Sequence, residues 1–157
     1  MLPGMMQAGF YASTPGGGAL SDQWRLSFTD GADSELQLLE VQMRGTAGGA
    51  NQCTGGSASA SSSDGSYPPA NAFDGLYPAG GYWRTAGNTN GDGAWLQYTF
   101  AAPVTVAEIM ICQNWVNCGP RVFDVQYWDG AAWQTHWTVT TGPWNGAAQE
   151  ARVMTKP

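Results

Sequence analysis

The chain has 157 residues, of which 43% are hydrophobic and 11% are charged. It contains 22 Gly, nine Pro and eight Trp, so turns are frequent and there is enough apolar surface for one core, a composition typical of an all-β domain. The formal net charge is −6 and the six Lys and Arg are not clustered, which excludes the basic surface of a nucleic-acid or anionic-membrane binder. We therefore expect no nucleic-acid partner and no membrane insertion.

Residues 1–23 are rich in Met, Pro, Gly and Ala and show neither a period of 2 nor one of 3.6. Such a segment cannot bury enough surface on its own to offset the entropy lost on ordering. We expect an N-terminal arm that docks on a neighbouring subunit or on its own domain. No basic residue precedes the weakly apolar start, and no later run approaches the ~20 apolar residues of a membrane span, so neither a signal peptide nor an anchor is expected.

From residue 24 onward the sequence consists of short alternating runs separated by turn residues. Trp24, Leu26 and Phe28 share one face of the first run, and residues 39–44 alternate in the same way, so these two runs are predicted to form a strand pair. Residues 46–64 are small and polar and end in a Ser/Ala alternation that indicates an edge strand. Further strands are predicted near 95–100, 103–112, 123–128, 132–140 and 151–154. About eight main antiparallel strands over residues 24–157 indicate a sandwich or jelly roll.

Three cysteines, Cys53, Cys112 and Cys118, have neither CxxC spacing nor a His cluster beside them. This argues against zinc and against a disulfide-built scaffold. For Cys112 and Cys118 two interpretations stay open: a disulfide bridge that closes a strand-end loop, or buried free thiols.

Five motifs follow one another in a fixed order: PPANAFDG, YW, AWLQYTF, APVTVAEIMI and FDVQYWDGAAW. Together they resemble, over residues 55–140, the discoidin-like family, also called F5/8 type C or galactose-binding-like domains. The resemblance implies a jelly-roll β-sandwich that acts as a binding module. The Gly/Ser/Thr/Asn-rich, charge-poor composition also resembles copies in bacteriophage tail and virion proteins, which implies a location in the virion.

Residues 24–45 resemble the strand pair that closes most members of this family at the C-terminus, yet here they come first. The resemblance implies a circular permutation in which 24–45 packs beside the last strand, 150–156. The alternative is that 24–45 completes the sandwich of a neighbouring copy.

Carbohydrate-binding members of the family place a polar residue after the Tyr-Trp pair and a second cluster in the loop before the FDVQY strand. An aromatic residue in a late loop adds a stacking wall. Carried over to this chain, the sugar-binding residues are Arg84, Asn88, Trp115, Asn117, Arg121 and Trp144. The alternative is that both arginines pair with Asp92 and Asp124 and that both tryptophans pack on the arm or on a neighbouring subunit.

Members of the family often hold calcium with the acidic residue of the FDG turn and a Glu from the closing strand pair, positions that Asp74 and Glu40 occupy here. Two further ligand types of the family are replaced by Leu76 and Gly81. The alternative is that Asp74 caps its own turn and Glu40 accepts from nearby backbone amides.

Catalytic signals are weak, because His136 lies in a strand without a nucleophile at any known spacing, and Asp92, Glu108 and Asp124 fall on separate turns or strand faces. We expect a non-enzymatic binding or adhesion module of a virion or cell-surface assembly that binds carbohydrate. The second hypothesis is a structural decoration protein of a phage particle, whose arm docks on neighbouring virion subunits and which binds no sugar.

Overall fold

The structure is a computed structural model that describes residues 18–144 and 146–157. Over this part of the chain, nine strands form two antiparallel sheets, so the predicted all-β sandwich is confirmed. The strands are β1 (Ser21–Asp30), β2 (Gln37–Arg44), β3 (Ser57–Ala60), β4 (Trp83–Arg84), β5 (Trp95–Val104), β6 (Glu108–Gln113), β7 (Val122–Trp128), β8 (Trp133–Thr140) and β9 (Ala151–Thr155). Two 3₁₀ helices, Pro69–Phe73 and Ala86–Asn88, join them, and no helix of the described residues is long and apolar enough to cross a membrane.

The five-stranded sheet has the order β3-β5-β1-β7-β8, and the four-stranded sheet has the order β4-β2-β6-β9. β1 therefore lies in the middle of one sheet, where Trp24 is opposite Tyr98 of β5 and Tyr127 of β7. β2 lies inside the other sheet, between β4 and β6. The first two strands thus complete both sheets of their own chain, not those of a neighbouring copy.

One boundary and one strand contact differ from the prediction. β1 begins at Ser21, so the last three residues assigned to the arm belong to the sheet, and residues 1–17 of the arm lie outside the described residues. The prediction that 24–45 packs beside the last strand is wrong, because β6 separates β2 from β9: Cys112 pairs with Glu40 on one side and with Ala151 on the other. β6 is thus a central strand, hydrogen-bonded at both edges and buried along its whole length.

The core lies between the two sheets and is built from the inward residues of each alternating run. Phe28 stacks on Trp83 across the sandwich, with ring centroids 5.9 Å apart. On the other face of β6, Met110 and Cys112 pack with Leu39 in a small second cluster. This second layer is the physical reason that β6 is apolar on both faces, as its sequence predicted.

The three cysteines are buried free thiols, so the loop between β6 and β7 is not closed by a Cys112–Cys118 bridge. Burial raises the pKa of Cys53 and of Cys112 to about 12. These thiols are therefore protonated and unreactive at neutral pH.

Trp144, in the connection between β8 and β9, is only 1% exposed. Its Nε1–H donates to the carbonyl of Pro120 at 2.6 Å, and the Arg152 guanidinium lies 4.2 Å from the ring centroid. The prediction that Trp144 forms a stacking wall for a sugar is therefore wrong. The ring fits because Gly119 has no side chain: a Cβ at that position would lie 2.3 Å from the indole.

We predict that Gly119→Ala lowers the free energy of unfolding by about 1–3 kcal/mol, because the added methyl group overpacks the Trp144 site. Gly65→Ala is the matched control, since a Cβ there meets nothing within 4 Å, and it should be neutral or slightly stabilising. Urea denaturation followed by tryptophan fluorescence measures both. Equal midpoints for the two variants would contradict the packing described for Trp144.

Candidate functional site

The strand directions bring several connections together at one end of the sandwich. The last part of β1 lies opposite the first residues of β5 and β7, as shown by the pairs Ser27–Trp95 and Asp30–Val122. β2 begins where β6 ends, so the connection from β1 to β2 lies at the same end. We call this the loop end, and it is formed by residues 31–36, 85–94, 114–121, 141–144 and 146–150.

Backbone hydrogen bonds tie these loops to each other. The amide of Gln37 donates to the carbonyl of Cys118 at 3.0 Å, and the amide of Asn114 donates back to Gln37 at 3.1 Å. The amide of Asn117 donates to the carbonyl of Trp144 at 2.8 Å. The loops that carry the predicted sugar-binding residues are therefore held in a fixed arrangement on the sandwich.

Arg84, the polar residue after the Tyr-Trp pair, lies at the loop end in a set of ionic and aromatic contacts. Its guanidinium donates to Asp64 at 2.6 Å and to Glu35 at 3.5 Å. It also lies 4.5 Å from the ring centroid of Tyr67, which stacks on Tyr82. The hydrogen bond from Arg84 lowers the pKa of Asp64, so both groups stay charged at neutral pH. The alternative in which this arginine pairs with Asp92 or Asp124 is therefore wrong.

A chain of planar polar groups continues from Arg84 across the loop end. Glu35 accepts from Gln37 Nε2 at 2.5 Å, and Gln37 Oε1 accepts from Asn114 Nδ2 at 2.8 Å. The next residue, Trp115, is 62% exposed. An accessible aromatic residue thus directly follows Asn114, whose amide plane is held by Gln37.

Arg121 lies at the same end but belongs to a separate cluster. Its guanidinium donates two hydrogen bonds to Asp30, at 2.6 and 2.8 Å, and also pairs with Asp33. The expected partners are engaged elsewhere: Asp92 accepts from the amide of residue 31, and Asp124 accepts from threonine hydroxyls of β8. Arg121 therefore braces the connection between β1 and β2.

The two predicted asparagines also lie at the loop end. Asn117 is exposed and has φ of 61°, a left-handed conformation that Asn tolerates better than most residues. Asn88 ends the second 3₁₀ helix, and its side chain is outside the described part of the structure. Four of the six predicted residues, Arg84, Trp115, Asn117 and Arg121, are thus described at one end of the fold, whereas Trp144 is core.

Sequence reasoning missed several residues of this end. Asp64, Tyr67, Glu35, Gln37 and Asn114 come from three separate segments of the chain. The local sequence around each of these residues looks like that of an ordinary polar loop. The pairing of Gln37 with Arg84 in adjacent strands is what brings them together, and only the strand register reveals it.

Glu40 and Asp74, the predicted metal ligands, lie near each other. Glu40 is 0% exposed, its Oε2 accepts from the amide of Gly75 at 3.3 Å, and its Oε1 has no partner among the described residues. Burial, together with the charge of Asp74, raises the pKa of Glu40 to about 7. Asp74 itself accepts from the amides of Leu76 at 2.9 Å and Gly81 at 3.3 Å. Over the described ranges, no group of three or more His, Cys, Asp or Glu forms a metal cluster.

His136 occurs as a packing residue in β8. Its ring lies 5.3 Å from that of Trp24 and 5.9 Å from that of Tyr127. Burial lowers its pKa, so the imidazole is neutral at physiological pH. These contacts explain why a lone histidine occurs here.

Comparison with known families accounts for most of the chain. Residues 57–157 match the model of the F5/8 type C domain, a range that includes β3 to β9 and most of the loop end. No curated protein and no solved structure matches the chain. Since the matched range is more than half of the sequence, the chain belongs to the F5/8 type C domain family.

Proposed function

We propose that this protein is a non-catalytic carbohydrate-binding module whose ligand lies on Trp115 and on the polar chain from Arg84 to Asn114. F5/8 type C domains are commonly modules that bind carbohydrates or other ligands. The observation that carries the proposal is the 62% exposed Trp115, which follows directly on Asn114, the last member of a hydrogen-bonded row of planar groups.

The chemistry of this surface suits a sugar. The flat indole of Trp115 accepts the apolar face of a pyranose ring, as aromatic residues do in ligand sites. Glu35 and Asn114 supply acceptors and donors for hydroxyl groups. Because Gln37 already holds both of these side chains, at 2.5 and 2.8 Å, little side-chain entropy is lost when the ligand binds.

The two arginines act in this proposal as positioning residues. Arg84 holds Glu35 and Asp64, and Arg121 holds Asp30 and Asp33. Both therefore stabilise the geometry of residues 31–36, which carry Glu35, the carboxylate of the proposed sugar site.

We also propose that calcium binds at Glu40 and Asp74. The supporting observation is Glu40 Oε1, a buried carboxylate oxygen without a partner among the described residues. Hard cations take several oxygen ligands, and here two carboxylates would supply part of the set, with backbone carbonyls of residues 75–81 as the source of the rest. A bound cation would offset the cost of burying Glu40 and would hold this loop.

We infer that the chain is a circular permutation of its family. β1 and β2 complete both sheets, yet they precede the matched range, which begins at residue 57. The ends of the described chain are also close: a Cβ added at Gly18 would lie 3.8 Å from the Thr105 methyl group, and the amide of Lys156 donates to the carbonyl of Ala107 at 2.8 Å. Adjacent termini are the condition under which permutation is tolerated.

The biological setting that we propose is a phage particle, on the basis of the charge-poor, Gly-rich composition. The alternative function, an assembly protein whose arm docks on neighbouring virion subunits, depends on residues 1–17. Those residues lie outside the described structure, and this function stays a prediction.

The carbohydrate proposal predicts that Trp115→Ala weakens binding of an oligosaccharide by about tenfold, the equivalent of one lost aromatic contact of ~1.4 kcal/mol. A glycan array identifies the ligand and titration calorimetry measures the loss. Val153→Ala, which changes another exposed apolar side chain away from the site, should bind like the wild type. The proposal is wrong if the wild type binds no glycan, or if Trp115→Ala binds as tightly.

The calcium proposal predicts that the cation raises the free energy of unfolding by about 2.7 kcal/mol at a concentration one hundred times its Kd. Glu40→Gln should abolish this response. Asp129→Asn, in the turn at the opposite end, should retain it. Thermal unfolding in calcium and in EDTA makes the measurement, and an identical response of wild type and Glu40→Gln would reject the site.

The permutation predicts that a rearranged chain folds. Its order is residues 46–157, a short Gly/Ser linker, and then residues 18–45. We expect a cooperative urea transition with a free energy of unfolding within about 2 kcal/mol of that of residues 18–157, because a flexible linker between adjacent ends costs little entropy. A control permutant opened inside β6 should not fold. Failure of the first permutant as well would refute the inference.

A further inference from the structure

The outer face of the five-stranded sheet, which we call the sheet face, carries an unusual set of side chains. Because Trp24, Leu26 and Phe28 of β1 point into the core, Arg25 and Ser27 point outward. The outward side chains of β5, β7 and β8 follow the same alternation. They are partly or fully exposed, so this face is accessible in the described structure.

Planar groups form a continuous strip across the sheet face. The Arg25 guanidinium lies 4.2 Å from the ring centroid of Trp133 on β8 and 5.9 Å from that of Trp95 on β5. Trp128 and Trp133 are 5.6 Å apart. Arg25 Nε also donates to Gln126 Oε1 at 2.7 Å, which fixes the plane of the guanidinium. Arg25 thus links two indoles, and the third, Trp128, packs against Trp133.

The strand register aligns a polar row with this strip. Gln97 lies opposite Ser59 and Arg25, and Gln126 lies opposite Arg25 and Thr135. Since neighbouring strands are about 4.8 Å apart, this row extends about 19 Å across the five strands. The surface is therefore long enough for several consecutive rings of an extended polymer.

The charge of the sheet face indicates what kind of ligand fits. Its middle carries one cation, Arg25, and one anion, Asp124, although the whole chain has a net charge of −6. Asp124 accepts from the hydroxyl of Thr138 at 2.6 Å, and amides and hydroxyls occupy most of the other positions. A protein interface has an apolar centre, whereas here the centre is made of amides between indole rings. This combination suits a neutral ligand with flat apolar faces and many hydroxyl groups.

We propose that the sheet face is a second carbohydrate-binding surface, and that it binds an extended neutral polysaccharide across the strands. Trp95 and Trp133 stack on sugar rings of the polymer. Gln97 and Gln126 pair with its hydroxyl groups. This surface is separate from the loop end, and its function does not depend on the ligand of Trp115.

The test compares soluble and insoluble neutral polymers, namely xylan, cellulose and chitin, by affinity electrophoresis and by pull-down. The double variant Trp95→Ala/Trp133→Ala should weaken polymer binding at least tenfold. Val153→Ala, which changes an exposed side chain of β9 in the other sheet, is the control and should bind polymer like the wild type. The double variant should still bind the short oligosaccharide of the loop end. The two proposals thus fail separately.

A second measurement uses the wild-type chain and does not depend on the folding of a variant. Bound polymer should protect Trp95 and Trp133 from oxidation by N-bromosuccinimide, as read by peptide mass spectrometry, and should leave Trp115 reactive. The proposal is overturned if the wild type binds none of the polymers, or if polymer protects Trp115 alone. It is also overturned if sedimentation shows that the sheet face pairs two copies of the chain through Trp133.

Discussion

The position of β1 between β5 and β7 is the constraint on which the rest of this structure depends. Its inward residues, Trp24, Leu26 and Phe28, are all but fully buried and fill the centre of the core. Its outward Arg25 links two indoles of the sheet face. Its C-terminal end leads into residues 31–36, which supply a carboxylate to each of the two arginine clusters at the loop end. One strand therefore connects the core with both proposed binding surfaces.

The ion pairs of the loop end matter for geometry more than for stability. Arg84 and Arg121 keep 21% and 31% of their side chains exposed, and pairs of this kind contribute only about 0–1 kcal/mol because water screens them. What they provide is orientation, since each guanidinium joins two segments that are far apart in sequence. Because the side chains are already held in place, the protein loses less conformational entropy when a ligand binds.

The sequence predicted the elements of the fold better than the contacts of the site. Alternation with period 2 identified the inward faces, because successive side chains of a strand point to opposite faces of the sheet. Trp115 and Trp144 looked equivalent, since both lie in Gly- and Pro-containing loops. Trp144 is buried because Gly119 and Arg152, distant in sequence, form its pocket. Such burial is set by tertiary neighbours, and local pattern carries no information about it.

The two proposed surfaces differ in the shape of ligand that they accept. The loop end offers one exposed ring, Trp115, and a short polar row, which fit a terminal or short sugar. The sheet face offers three indoles beside a polar row about 19 Å long, which fits a continuous chain. Because the strand register holds Arg25 and the β1–β2 connection in one rigid unit, the geometry between the two surfaces is fixed, and each surface can bind its own ligand without rearranging the other.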